Sequence, residues 1–185
     1  MHRQTPKAHC LQEYMNMGST QAKPCCRCPS DKEIWRSEAD LDFCEETLLT
    51  LARLYFESFA RPESTCWINS LMLAQAHFGP DAGPVIGVRL LNALQAMRFA
   101  RHSIFSFNSV ECPTCSAVLT EHERRLMAVI KATRTGQSGK AQTELMMLCE
   151  GADITNPMIA FCDLAAALAE EESQWQGDAH ETALF

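Results

Sequence analysis

Cys112-Pro113-Thr114-Cys115 sets two thiols three residues apart, with a proline fixing the turn between them. Sulfurs at that spacing converge on a common centre, which is half of a tetrahedral Zn²⁺ site or a redox-active dithiol. A helical hairpin downstream would return two further ligands to the pair. His122 precedes Leu126 and Ile130 by four and eight residues, so it shares their buried helical stripe. Cys149 follows Leu145 by four residues and shares the inner face of the next helix. An antiparallel fold near residues 137–138 sets Cys149 opposite residue 126, and at 1.5 Å per residue His122 is offset by roughly 6 Å.

The expected ligand set is therefore Cys112, Cys115 and Cys149 as thiolates with His122 as a neutral imidazole, a Cys₃His set suited to a closed structural Zn²⁺ site. His102, Cys66 or Cys162 can replace the fourth ligand. An iron–sulfur cluster using Cys162 is a lesser reading, because the recognised cysteine spacings are not matched. Plainer readings stand beside these. Cys149 and Cys162 fit ordinary helical core positions, and His122 fits a half-buried residue bonded to a loop carbonyl. A thiol-based redox regulator would use the Cys112/Cys115 pair alone. Further upstream, Cys25-Cys26-Arg27-Cys28 repeats the CxxC spacing. A separate metal site from Cys10, Cys25 and Cys28 is one reading of it; unstructured thiols are the plainer one.

The elements that must position these groups read as all-α: about six helices in one compact domain, with a C-terminal helical hairpin and disordered termini. Residues 1–36 form a polar leader interrupted by Pro6, Gly18, Pro24 and Pro29. The helical domain spans residues 37–171. Its first helix, capped by the Ser37/Asp40 pair, carries Leu41, Cys44, Leu48, Leu51 and Tyr55 inward, flanked by Ala52, Phe56 and Phe59, and ends at Arg61-Pro62. A second helix places Trp67, Leu71, Ala74 and Phe78 on one stripe and closes at Gly79-Pro80. A third, with Pro84 in its first turn, buries Ile86, Leu90, Leu94 and Met97.

Residues 103–119 are irregular and hold the cysteine pair. Phe105 and Phe107 there are expected to plug the core beneath it. Thr120 with Glu123 forms a capping box that opens a helix burying Leu126, Met127 and Ile130. Gly136 and Gly139 bracket a turn, and a helix over about 140–150 completes the hairpin 120–150. Asn156-Pro157 starts a sixth helix through Phe161, Leu164 and Leu168. Residues 172–185 read as an acidic disordered tail. No period-two strand is expected.

Composition narrows the function. The 185 residues are 46% hydrophobic, enough for a real core. Net charge is −7, distributed unevenly: residues 85–140 carry eight Lys or Arg against three acids, and residues 141–185 carry nine acids with no Lys or Arg. Overall acidity disfavours nucleic-acid binding, which rests on phosphate neutralisation. Arg98, Arg101, Arg124, Arg125, Lys131 and Arg134 read as a solvated face paired with acids of the same molecule before they read as a phosphate site. The chain shows no run of about 18 apolar residues that would span a membrane. No secretory signal is expected within residues 1–30 either, so a cytoplasmic protein with reduced thiols is expected. GxSxG, P-loop, HExxH and GxGxxG motifs do not occur, which leans against an enzyme. The function expected is a non-enzymatic regulatory or adaptor protein, its hairpin stapled by Zn²⁺, acting through a protein partner.

Overall fold

The computed structural model describes residues 29–182. Its elements in chain order are β1 (Ile34–Trp35), a 3-10 turn (Arg36–Glu38), α1 (Phe43–Ala60), α2 (Cys66–Ala100), α3 (Pro113–Ser116), β2 (Val118–Leu119), α4 (Glu121–Arg134), α5 (Ser138–Leu148) and α6 (Thr155–Thr182). The fold is all-α, as the periodicity predicts. Cys10, Cys25, Cys26 and Cys28 lie outside the described residues.

Four helices close a ring: α1 packs on α2, α2 on α6, α6 on α4, and α4 back on α1. Their inward rows meet in one core. It includes Leu48, Leu51 and Tyr55 from α1, Ile86, Leu90, Leu94 and Met97 from α2, Leu126 and Ile130 from α4, and Phe161, Leu164 and Leu168 from α6. α5 lies against the outside of α4, completing the expected hairpin. Gly136 (φ 68°) turns the chain between them, a left-handed conformation that a side chain would strain.

α2 is two helices joined at Gly79, whose φ of 82° and ψ of 171° belong to a region essentially reserved for glycine. The chain reverses there. A Cβ on Gly83 would lie 2.6 Å from the Ala74 carbonyl oxygen, and one on Gly87 would lie 3.0 Å from the Leu71 side chain. The two halves thus pack closely at glycines four residues apart, against backbone at Gly83 and against side chains at Gly87. The sequence break at Gly79-Pro80 is where expected, but Pro84 lies inside the second half, and Pro80 follows the break. The buried row of the first half is Cys66, Ser70, Ala74 and Phe78, which leaves Trp67 half exposed rather than inward.

Three boundaries differ from the sequence reading. The segment read as leader is structured from its end. Ile34 pairs with Leu119 and Trp35 with Val118 in an antiparallel ribbon, too short for alternation to register. The first helix is capped by Asp42, whose side chain accepts from Glu45 N–H at 2.7 Å, rather than by Ser37. At the other end α6 continues past Glu172 to Thr182, within the part read as a disordered tail. No proline interrupts those residues, and their glutamates and alanines favour helix.

Candidate functional site

The irregular segment between α2 and α4 carries Cys112 and Cys115, His122 lies in the first turn of α4 and Cys149 just after α5, and two arginine–glutamate clamps hold the segment. The first is interior. Arg53 sits in the middle of α1 with its side chain 1% exposed. Its Nε donates to Glu123 Oε1 at 2.7 Å and its Nη2 to Glu123 Oε2 at 3.2 Å. The remaining donors reach the Ser116 and Val118 carbonyls at 2.8 Å each. Glu123 also accepts from the backbone N–H groups of Thr120 (2.8 Å) and Asn108 (3.0 Å). The expected Thr120/Glu123 capping box is thereby extended into a buried network whose planar fork matches a carboxylate.

The CPTC turn hangs from this network. Pro113 opens α3, and Cys112 caps it: its Sγ accepts from Cys115 N–H at 3.4 Å. Both cysteines are half-buried. Ser116 and Val118 on their C-terminal side are gripped by Arg53. β2 follows at once and pairs with β1, and Arg36 N–H donates to the Ala117 carbonyl at 2.8 Å.

The second clamp closes the mouth of the α4–α5 hairpin. Arg101, with a side chain 2% exposed, bridges to Glu150 Oε1 at 3.0 Å and donates to the Leu148 carbonyl. Its Nη2 approaches His122 Nε2 to 3.4 Å. Glu150 also accepts from the backbone N–H groups of His102 and Ser103 at 3.1 Å each. The Ser103 hydroxyl and these backbone donors hold its carboxyl down at about 2. His122 Nδ1 accepts from Ser106 N–H at 2.8 Å. Burial, then the Arg101 charge, pushes this imidazole below the usual histidine range.

The sequence-derived ligand set is therefore not assembled as drawn. Among the described residues, no group of three or more His, Cys, Asp or Glu side chains is arranged to hold a metal ion. His122 and the end of α5 do converge at the hairpin mouth, but around the Arg101 guanidinium. Cys149 is fully buried among core leucines, where loss of solvation raises its thiol above the ordinary range. Spacing along the helices carried no signal that Arg101, the residue following α2, would occupy the hairpin mouth. The substitute ligands are also dispersed. His102 is exposed beside Glu150, Cys66 is buried at the start of α2, and Cys162 faces solvent on α6.

No protein family, curated protein or solved structure matches this chain.

Beside the two clamps lies a cleft of about 270 Å³ lined by Phe56, Phe59, Arg98, Ile104, Phe105 and Phe107, among others. Its floor is aromatic. Phe105 stacks on Phe56 with centroids 4.1 Å apart, and Phe107 lies 5.6 Å from the same ring. The expected plugging of the core by this segment is thus seen, with Phe56 as its seat. Arg98 covers Phe59 at 4.0 Å. Ile104, by contrast, is 92% exposed on the rim, and Phe99, which follows Arg98 in α2, is 86% exposed. The other basic residues are mostly matched internally. Arg125 pairs with Glu121 and Glu144, Arg134 with Asp42 and Glu45, and Lys131 with Asp40. Among the described residues, no helix is long and apolar enough to cross a membrane.

Proposed function

We propose that this protein is a non-enzymatic regulatory or adaptor protein, acting through protein–protein contact, whose irregular segment is fastened at the Cys112–Cys115 turn by a Zn²⁺ ion. Ile104 carries the reading. Folding tends to remove a branched apolar side chain from water, yet the segment bearing Ile104 is gripped from both ends by Arg53–Glu123 and Arg101–Glu150. The exposed isoleucine is held out on a clamped loop beside an aromatic cleft, an arrangement suited to an anchor side chain that inserts into a partner. The internal matching of Arg125, Lys131 and Arg134 weighs against a phosphate-binding face and in favour of a protein partner.

The test uses a partner isolated from the native host by affinity capture and then purified. Ile104→Asp and Phe99→Asp should each weaken its binding at least tenfold, while thermal melting of the free variants stays within a few degrees of the parent. Binding unaltered by both substitutions would overturn the reading.

A second reading keeps the same turn but makes it a redox switch. The Cys115 N–H aimed at Cys112 Sγ favours a thiolate there, which is what attack on an oxidant needs. Mild peroxide should then remove both thiols from alkylation as a Cys112–Cys115 disulfide, and dithiothreitol should restore them. Thiols that remain fully alkylatable after peroxide would eliminate this alternative.

A further inference from the structure

Beyond the reading of Ile104 as a docking side chain, on which this step rests, we propose that the cleft beside it receives an aromatic side chain from an acidic segment of the protein partner. A carboxylate next to that side chain pairs with Arg98.

Size sets the first limit. The cleft holds about 270 Å³, where about 150 Å³ takes a benzene ring and small-molecule sites start at about 300 Å³. One ring with its stem fills it. The floor is preformed, because Phe56 and Phe105 are buried and stacked with centroids 4.1 Å apart. A ring entering from solvent meets aromatic surface without rearranging the core. Ile104 also lines the cleft, yet it is 92% exposed. Apolar surface thus continues past the mouth, further than a molecule confined to the cleft would cover, which favours a polypeptide over a free aromatic acid.

Charge selects the partner. Arg98, Arg101 and His102 line the cleft and no Asp or Glu does, in a chain whose net charge is −7. Arg101 is already held by Glu150. Arg98 differs. Its Nη1 donates to Gln95 Oε1 at 2.6 Å, and its guanidinium carbon sits 4.0 Å over the centre of the Phe59 ring. These two contacts fix the group at the cleft wall. Among the described residues no carboxylate pairs with it, whereas Arg61 meets Glu57 and Arg89 meets Asp163. The Nε–Nη2 edge of a guanidinium is a fork that takes both oxygens of a carboxylate. A positioned cation offering that edge beside an aromatic floor matches an aromatic residue with an acidic neighbour. The same field draws acidic segments to the cleft and repels basic ones.

The experiment follows the backbone amide signals of residues 101–107 in the ¹⁵N-labelled full chain during peptide titration. The probe is Ac-Asp-Glu-Phe-Asp-Glu-NH₂. Its controls replace the phenylalanine by alanine, or every acid by lysine, and 3-phenylpropionate stands for a free aromatic acid. The acidic phenylalanine peptide should shift these signals and bind about tenfold or more tighter than each control. Arg98→Gln should weaken that peptide about tenfold and remove most of its salt dependence, with thermal melting unchanged because the side chain is exposed. Arg98→Lys, which keeps the charge but not the fork, should fall between the two. No shift at millimolar peptide, equal binding of a control peptide, or tighter binding of 3-phenylpropionate would each overturn the assignment. The captured partner separates this step from the reading beneath it. Binding weakened by Ile104→Asp but untouched by Arg98→Gln would overturn the acidic-segment assignment and leave the docking reading standing. Binding untouched by Ile104→Asp, Phe99→Asp and Arg98→Gln alike would overturn both.

Discussion

Arg53–Glu123 and Arg101–Glu150 use the same chemistry at opposite ends of one segment and differ in what surrounds them. Arg53 and Glu123 are both 1% exposed, and beyond their mutual bonds they engage the backbone at Asn108, Ser116, Val118 and Thr120. Arg101 is just as enclosed, but its partner Glu150 opens to water. A buried pair gains little over an apolar replacement, yet breaking it strands an uncompensated charge. An exposed partner is hydrated when released. The interior clamp thus fixes the path of the CPTC turn irrespective of solvent, whereas the outer clamp ties the hairpin mouth in a way that pH and salt can loosen.

The largest effect should come from breaking the interior pair on one side. Arg53→Met or Glu123→Leu is expected to cost about 3–5 kcal/mol in denaturant unfolding, and the double variant should recover a large part of that loss. Full additivity of the two losses would mean that the groups do not act as a pair.

The outer clamp predicts a pH dependence of definite sign. The folded Glu150 carboxyl titrates at about 2, below the ordinary glutamate value of 4.5. Its contribution to stability is therefore present above about pH 5 and lost as pH falls towards 2. Glu150→Gln should be less stable than the parent at pH 7, and the gap should close between pH 5 and pH 2. The same gap should narrow in high salt. Neither acid nor salt should shrink the Arg53 effect to a similar degree, and equal sensitivity of both clamps would erase the distinction drawn between them.

A smaller effect belongs to His122. Its folded value lies below the ordinary 6.5, chiefly through burial, so the unfolded chain binds its proton first as pH falls. Stability should decline on going from pH 7 to pH 5. His122→Asn, which keeps an acceptor for the Ser106 N–H, should flatten that decline. An unchanged slope would assign the titration to another group.

The helical rows were legible in the sequence because each is set by a repeat that local residues carry. Ile86, Leu90, Leu94 and Met97, and likewise Phe161, Leu164 and Leu168, fall on the core as their spacing requires. Thr120 with Glu123 announced a helix start for the same reason. The ribbon was not legible, since two residues per strand contain no period. Arg53 carried no local signal either: an arginine inside Leu51-Ala52-Arg53-Leu54 looks like a surface residue until Glu123, seventy positions away, is brought against it. The candidate site failed in the same way. Helical phase placed His122 near the end of α5, but the Arg101 side chain that fills that space comes from the far end of α2.

The account rests on a metal held by the CPTC turn. Native mass spectrometry of the untreated full-length chain, purified without chelator, tests this most directly. The account predicts a mass increment of one Zn²⁺ that disappears in Cys112→Ser/Cys115→Ser. A folded parent protein with the bare polypeptide mass would contradict it.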